Sequence, residues 1–264
     1  MSTITELSAE GMRPYLIDDS LFDKITVHMS VGSTNDLTKE LARQGAEHGT
    51  VIFAESQTAG KGRRGRSFFS PPGQGIYMSM VLKPDRHSFD RSLTTPFAAV
   101  AVCEAIEAVS DIAPQIKWVN DVFADGRKVC GILTEAVTLY DGTQHLVLGI
   151  GINFSRPDTG FPAEISASAG AVFNKPDPPV TRSRLAAEIL NRVLIQPPDY
   201  SDSQMLRKYR RRMMMLGQTV VVTGAGESYE AVALDIDSEA RLIVRNNAGE
   251  TIYLSSGEIS VRSL

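Results

Sequence analysis

Apolar residues follow two different periods along the first 215 positions of the chain. Runs with the composition of buried strands occupy residues 23–31, 50–56 and 75–82, since they lack a helical period and are rich in β-branched and aromatic residues. Residues 94–109 are apolar nearly all round, which indicates a buried helix with Thr94 or Thr95 as its N-cap. The alternation of strands and helices favours an α+β fold.

Another helix is predicted over residues 35–45. Ser33 or Thr34 can cap its N-terminus, and Gly45 can end it. A helix of this length covers the sheet with only one face. The apolar positions on the predicted inner face are Leu37, Leu41 and Ala42.

Residues 115–154 have the pattern of an antiparallel meander. Turns containing Asp-Gly fall at residues 124–127 and 140–143, and Asp-Gly between alternating apolar runs is a strong hairpin signal. A largely antiparallel sheet is therefore expected. The segments of the meander are residues 115–121, 128–137 and 145–154.

The pattern changes again at Leu216-Gly217. Helices are predicted at 181–195 and 201–215, whereas short strand-like runs separated by turn residues follow. Such runs without a helical period predict a small all-β barrel. The expected parts are an N-terminal extension (1–22), a main domain (23–215) and a C-terminal domain (216–264).

Composition narrows the possible partners. The net charge of −4 provides no general attraction for nucleic acid or an anionic membrane. The two cysteines, Cys103 and Cys130, lie in apolar runs and are expected to be buried free thiols. The N-terminus lacks a cationic start followed by an apolar stretch. We therefore expect a cytoplasmic protein with no nucleic-acid or membrane partner.

The loop over residues 60–66, Gly-Lys-Gly-Arg-Arg-Gly-Arg, is the strongest chemical signal in the chain. Glycine lets backbone N–H groups approach a ligand closely, and arginine offers a planar fork of donors for phosphate or carboxylate. The spacing fits neither a Walker phosphate loop nor a dinucleotide fingerprint. A solvated surface loop is the alternative to an anion-binding one.

Two more segments carry polar residues that a packed sheet does not require. Residues 32–36 combine hydroxyl, amide and carboxylate groups at a helix start, and residues 117–121 combine Lys117, Asn120 and Asp121 near a strand end. Lys128 begins the next strand, where a lysine often only extends to solvent. If these segments meet at one sheet edge, they form a cationic polar site.

The order and spacing of these motifs resemble the biotin protein ligase family. The resemblance extends from about residue 25 to the C-terminal barrel. The matching motifs are Ser33-Thr34-Asn35, Gln57-Thr58-Ala59-Gly60 with the basic loop and Phe69-Ser70-Pro71, Lys117-Trp118-x-Asn120-Asp121, Lys128-x-x-Gly131-Ile132-Leu133-x-Glu135 and Gly149-Ile150-Gly151-Ile152-Asn153.

The resemblance implies a mixed, largely antiparallel sheet flanked by helices, the class II synthetase-like fold of biotin and lipoate ligases, with an SH3-like C-terminal barrel. It implies that biotin and ATP, with Mg²⁺, form biotinyl-5′-adenylate. The biotin would then pass to one lysine of the biotin carboxyl carrier protein domain of a carboxylase.

The resemblance also implies roles for individual residues. Lys128 and Arg63 would be catalytic, and Asp121 would be an acid linked to the metal. The residues expected at biotin are Ser33, Thr34, Asn35, Gln57, Gly60, Lys61, Gly62, Arg63 and Lys128. Those expected at the nucleotide are Arg63, Arg66, Phe68, Lys117, Asn120 and Asn153.

Four positions depart from the usual family pattern, and one of them, Cys130, replaces a small apolar residue and is expected only to pack. Lys61 replaces an arginine, which keeps the charge but loses the fork of donors. Phe68 replaces a tryptophan, and Val119 replaces a proline. We expect an aromatic face at Phe68 still to pack on adenine.

Two other functions compete with this interpretation. A lipoate ligase would share the fold and the acyl-adenylate chemistry, but its usual Arg-Arg-x-Ser-Gly-Gly-Gly loop is absent. A non-catalytic biotin-sensing or carrier-docking module would be expected to lack the adenylation cations, whereas Arg63 and Lys128 are both present.

Only 32 residues precede the first motif, Ser33-Thr34-Asn35, so we expect no DNA-binding domain and no repressor role. The basic cluster at 207–212 is interpreted as a solvated helix face that could favour an acidic carrier protein. An exposed edge strand near the meander could support a homodimer, although the sequence does not locate that strand.

Overall fold

The computed structural model describes residues 7–83, 92–174, 178–195, 203–223, 228–255 and 258–261. Its main sheet has seven strands: β1 (Ile25–His28), β2 (Val51–Ala54), β3 (Gly75–Leu82), β4 (Gln115–Lys117), β5 (Asp121–Ala124), β6 (Arg127–Thr138) and β7 (Gln144–Asn153). The order across the sheet is β1-β2-β3-β7-β6-β5-β4. Among the described strands of this sheet, only β1 and β2 pair in parallel, so the predicted mixed, largely antiparallel sheet is confirmed.

Five α-helices occur within the described residues, and the sheet separates α2 from α3 and α4. They are α1 (Ala9–Met12), α2 (Thr34–Arg43), α3 (Thr94–Val109), α4 (Arg182–Leu190) and α5 (Ser203–Arg212). α3 matches its predicted bounds, but Leu93 is its N-cap and no side chain caps it. In the described part of the chain, no helix is long and apolar enough to cross a membrane.

Two further details of the sequence prediction are wrong. Residues 115–121 do not form one strand, because the chain reverses after Lys117 and returns with Asp121 paired opposite it. In α2 the buried positions are polar or small, and the two leucines of the predicted face are only half-buried. The buried residues of α2 are Thr34, Asn35, Thr38 and Ala42.

The two faces of the main sheet have different contents. On one face, Met80 and Leu148 join the large core beneath α3 and α4. On the other face, Val81 and Val147 form a small cluster with Ala42 of α2. Because successive side chains of a strand alternate between faces, the same strands build both the core and the surface that α2 covers.

The N-terminal segment packs on the main domain. Leu7, Met12 and Leu21 are buried in the large core. The backbone N–H of Ser8 donates to Ser183 Oγ of α4 at 3.1 Å. The described part of the predicted extension therefore contributes to the stability of the main domain.

The predicted C-terminal β domain is confirmed as a five-stranded antiparallel sheet. Its order is β11-β10-β9-β8-β12, and every neighbouring pair is antiparallel. The strands are β8 (Thr219–Thr223), β9 (Ser228–Ile236), β10 (Leu242–Asn246), β11 (Thr251–Leu254) and β12 (Glu258–Val261).

The basic cluster at 207–212 is not simply a solvated helix face. Lys208 pairs with Glu104 at 2.9 Å and Arg212 with Glu107 at 2.7 Å, so α5 is joined to α3. Arg210 pairs with an acid of β9, Asp235, at 2.7 Å. The cluster therefore joins α3, α5 and the C-terminal domain, although Arg211 is exposed.

Candidate functional site

Glycines open a pocket where the main sheet faces α2. Gly131 of β6 pairs with Gly151 of β7, and Gly149 of β7 pairs with Ser79 of β3. A Cβ at Gly149 would collide with Asn35 Oδ1, and one at Gly151 would lie 2.7 Å from the Phe68 ring. The missing side chains therefore provide the space that α2 and the basic loop occupy.

A hydrogen-bonded network forms the polar floor of this pocket. Ser79 Oγ donates to Asn35 Oδ1 at 2.6 Å and lies 2.8 Å from Thr34 Oγ1. Gln57 Oε1 accepts from the Thr34 backbone N–H at 2.9 Å, and Ser33 also lines the pocket. Side chains that hold one another in this way are pre-ordered to bind a small polar head group.

The network continues into two charged residues. Asn35 Nδ2 donates to Glu135 Oε2 at 2.9 Å, and Lys39 Nζ donates to Glu135 Oε1 at 2.9 Å. Burial alone would raise the pKa of Glu135, but the hydrogen bonds from Asn35 and Lys39 bring it below its usual value. Glu135 is therefore held as a carboxylate that orients the Asn35 amide.

The basic loop forms a short hairpin above the pocket. Phe68 N–H donates to Gly60 C=O at 2.9 Å, and Gly62 N–H donates to Arg66 C=O at 2.7 Å. Gly60 is buried beneath the hairpin, where a Cβ would lie 2.6 Å from the Phe68 carbonyl oxygen. Gly60 does not line either cavity, so its place in the structure indicates a role in forming the hairpin.

The hairpin brings Arg63 to the same cavity as Lys128. Both side chains line the pocket, and both also line a second hollow beside it. Arg63 donates to Asn120 Oδ1 at 3.2 Å, and Lys128 Nζ lies 2.7 Å from Asp121 Oδ1. The site thus joins a polar-floored pocket to a cationic hollow through two shared cations.

The cation of Arg63 is poorly compensated. In the described part of the chain no carboxylate forms an ion pair with it, and Asn120 supplies a neutral oxygen. Burial and the neighbouring charge of Arg64 lower the pKa of Arg63 from its usual value. An anion bound in this cavity would relieve that unfavourable burial of charge.

The second hollow contains most of the residues that were expected at a nucleotide. Lys117, Arg66, Phe68 and Asn120 line it, together with Asp121. Arg64 and Trp118 are also at its wall, although the sequence analysis assigned them no role. The hollow has the positive charge and the aromatic surface that a nucleotide requires.

Asn153 lies outside both cavities. Its Nδ2 donates to Gly170 C=O at 2.9 Å, and neither cavity wall includes it. The hydrogen bond joins the end of β7 to the loop that contains Gly170. Asn153 is therefore held by Gly170, and its contact with adenine stays a prediction.

A metal cage is absent from the described residues, in which no group of three or more His, Cys, Asp or Glu side chains could hold an ion. Asp121 is a carboxylate in the second hollow, and Lys128 already pairs with it. Mg²⁺ is commonly bound by one or two carboxylates and substrate phosphates. These residues therefore fit an ion that arrives with a nucleotide.

Sequence reasoning missed several residues that build the site. Ser79 and Lys39 were given no role, since each belongs to an ordinary strand or helix pattern, and Glu135 was matched to a family motif without a role. The Gly-Ile-Gly of β7 did contain a usable signal, because glycine inside a strand often marks a close approach of other groups.

Comparisons with known proteins agree with this architecture. Residues 27–153 match the biotin/lipoate A/B protein ligase family, and residues 215–262 match the biotin protein ligase C-terminal domain. The bifunctional ligase/repressor BirA of Bacillus subtilis is 30% identical over 258 residues, which are 96% of this chain and 79% of that protein. The chain belongs to the biotin protein ligase family.

Other biotin protein ligases are similar over nearly their whole length. The biotin–[acetyl-CoA-carboxylase] ligase of Mycobacterium tuberculosis is 29% identical, with 95% of this chain and 97% of that protein covered. The solved structure of the Aquifex aeolicus biotin protein ligase in complex with biotin and ATP has a TM-score of 0.74 and 27% identity. That match covers 90% of this chain and 98% of the Aquifex chain.

Proposed function

We propose that this biotin protein ligase family member activates biotin with ATP and then transfers it to a lysine of a biotin carboxyl carrier protein domain. The observation that carries the proposal is the meeting of Arg63 and Lys128 at the junction of the two cavities. A relative solved with biotin and ATP supports the choice of substrates.

In the first step, a biotin carboxylate oxygen bonds to the α-phosphorus of ATP and pyrophosphate leaves. The two reacting groups are both anionic and repel one another, so cations must lie between them. Lys128 and Arg63 would supply this charge, and Lys61 would assist at the carboxylate. In the second step, the carrier lysine attacks the acyl carbon and AMP leaves.

The pocket and the hollow would receive different parts of the adenylate. Ser33, Thr34, Asn35 and Gln57 would bind the ureido head of biotin, while the strand side chains enclose its apolar rings. The hollow formed by Arg66, Phe68, Lys117 and Asn120 would receive the AMP part. The hairpin would exclude water, which otherwise hydrolyses the mixed anhydride.

Mg²⁺ would enter with ATP and offset the charge of the phosphate groups. Asp121 would be its protein ligand, together with phosphate oxygens. A cytoplasmic location and a homodimer remain predictions from the sequence.

The test is a biotin- and ATP-dependent assay on the full chain with Mg²⁺ and a purified carrier domain. Wild-type protein should form biotinyl-5′-adenylate, detected by mass spectrometry, and label the carrier lysine. Lys128→Ala should reduce adenylate formation by about 10²–10³-fold, because one preorganised charge is lost from the transition state.

Lys24→Ala is a matched control, since Lys24 is outside both cavities and its side chain is 33% exposed, as is that of Lys128. It should retain wild-type activity. Adenylate formation with lipoate alone would instead support the lipoate ligase alternative. Normal activity in Lys128→Ala would remove the role given to Lys128.

A further inference from the structure

The basic hairpin is fixed to the rest of the protein on two opposite sides of the pocket. On one side Arg63 donates to Asn120 in the turn between β4 and β5. On the other side Lys61 Nζ lies 2.6 Å from Asp36 Oδ1 in the first turn of α2. The hairpin therefore spans the pocket between the sheet edge and α2.

The two attachments would not behave alike during the proposed reaction. Arg63 is a proposed catalytic cation, so an incoming anion competes with Asn120 for its donors. Asp36 is outside both cavities, and its bond to Lys61 occupies only one of the three N–H donors of the ammonium group, which leaves the others for the biotin carboxylate. This second attachment can therefore hold the hairpin while Arg63 changes partner.

Asp36 is well placed to hold a cation. It lies in the first turn of α2, where the helix dipole stabilises a negative charge. Burial alone would raise the pKa of Asp36, but hydrogen bonds from Lys61 and Lys39 bring it below its usual value. Lys39 Nζ lies 3.0 Å from the same Oδ1 atom, so the carboxylate is fixed in position before it meets the loop.

Lys39 also connects Asp36 to the pocket floor. It bonds Glu135 at 2.9 Å, and Glu135 accepts from the Asn35 amide. The hairpin and the polar floor are thus joined by an unbroken series of charged contacts. Glu40, in the same helix, belongs to a separate exposed pair with Arg43 at 3.5 Å.

From this arrangement we propose that Asp36 is a positioning residue that keeps the basic hairpin closed over the site through its ion pair with Lys61. Lysine is sufficient here because a single carboxylate oxygen accepts the bond, so the fork of an arginine is not needed. The consequence for catalysis rests on the proposed function, whereas the effect on the hairpin does not.

The first test is hydrogen–deuterium exchange of the ligand-free full chain, followed by mass spectrometry of peptides that contain residues 59–68. Asp36→Asn should exchange about two- to fivefold faster than wild type in these peptides, which is the size expected when a half-exposed ion pair is lost. Glu40→Gln should not differ from wild type. The difference should shrink at about 1 M salt, where exposed charges are screened.

The variant Lys61→Met and the double variant with Asp36→Asn complete a double-mutant cycle. If Asp36 acts through Lys61, Asp36→Asn with Lys61→Met should exchange no faster than either single variant. Unchanged exchange in Asp36→Asn, or additive effects in the double variant, would overturn the proposal. If the urea midpoints of the Asp36 and Lys61 variants equal that of Glu40→Gln, the faster exchange is confined to the hairpin and does not reflect a loss of global stability.

The second test measures release of biotinyl-5′-adenylate. Asp36→Asn should release the adenylate about two- to fivefold faster, with a smaller change in the rate at which it forms. A protein that makes no adenylate would contradict the proposed function but leave the exchange result intact. Faster loop exchange with unchanged adenylate release would show that Asp36 does not serve retention, and would overturn its positioning role.

Discussion

Leu148 and Gly149 are neighbours in β7 but belong to opposite faces of the main sheet. Leu148 is fully buried beneath the helices α3 and α4, whereas Gly149 leaves space for the Asn35 side chain on the face covered by α2. One face obtains its stability by filling space with apolar groups. The other face keeps space open and fills it with polar groups that restrain one another.

This difference indicates how a site can be built on a rigid support. The packed face holds the strands in place, so the positions of Ser79, Gly131 and Gly149 on the site face are set by the core. The site face then tolerates buried polar atoms because hydrogen bonds satisfy them. Substitutions on the core face should therefore mainly lower stability, and substitutions on the site face should mainly weaken ligand binding.

The largest effect on stability is expected from Leu148→Ala. Removing a fully buried leucine side chain should lower the free energy of unfolding by about 2–5 kcal/mol, because apolar burial is lost and a cavity remains. Urea denaturation measures this change. Ile17→Ala is the control, since Ile17 is 60% exposed and its truncation should alter stability little; equal losses in both variants would contradict the assignment of the core face.

A smaller stability loss but a larger functional effect is expected from Gly149→Ala. The added methyl group would collide with Asn35 Oδ1, so the hydrogen bond from Ser79 would break at a cost of about 1–3 kcal/mol. The displaced amide should also abolish biotin binding in isothermal titration calorimetry.

Gly32→Ala is the matched control for Gly149→Ala. Gly32 directly precedes the Ser33-Thr34-Asn35 motif, but a Cβ at Gly32 would meet no atom within 4 Å. Its biotin affinity should equal that of wild type. Tight biotin binding by Gly149→Ala would show that the Asn35 position is not required.

The smallest effect is expected from Glu135→Gln, and it depends on pH. The pKa of Glu135 is lower in the folded protein than its usual value, so its stabilising contribution is present above about pH 4.3 and is lost as the pH falls through the folded pKa. At pH 7 the free energy of unfolding of wild type should exceed that of Glu135→Gln by about 0–1 kcal/mol. Urea denaturation should show this difference disappearing towards pH 3.

The exposed Glu40→Gln variant serves as the pH control, and its stability should follow that of wild type at every pH. A gap between wild type and Glu135→Gln that widened as the pH fell would contradict the direction assigned to the Glu135 pKa.

The order of elements could be read from the chain because local patterns encode it. The bounds of β3 and α3 match their apolar runs, and Asp-Gly turns mark the hairpins on both sides of β6. The resemblance of the motifs to a family likewise needed only the order of residues such as Lys117, Asn120 and Lys128. In these regions local preference and the final fold agree.

Other features depended on the tertiary structure. The first turns of α2 bury polar side chains, because the surface that faces them consists of Ser79 and the glycines of β6 and β7, whereas Ala42 near the end of the helix packs on Val81 and Val147. The bond of Asn153 to Gly170 and the pairing of Lys61 with Asp36 join segments whose spacing in sequence predicts no contact. The sequence by itself determined which elements form and which family they compose; the packing of those elements decided which side chains meet, because each such contact depends on the position of a distant segment.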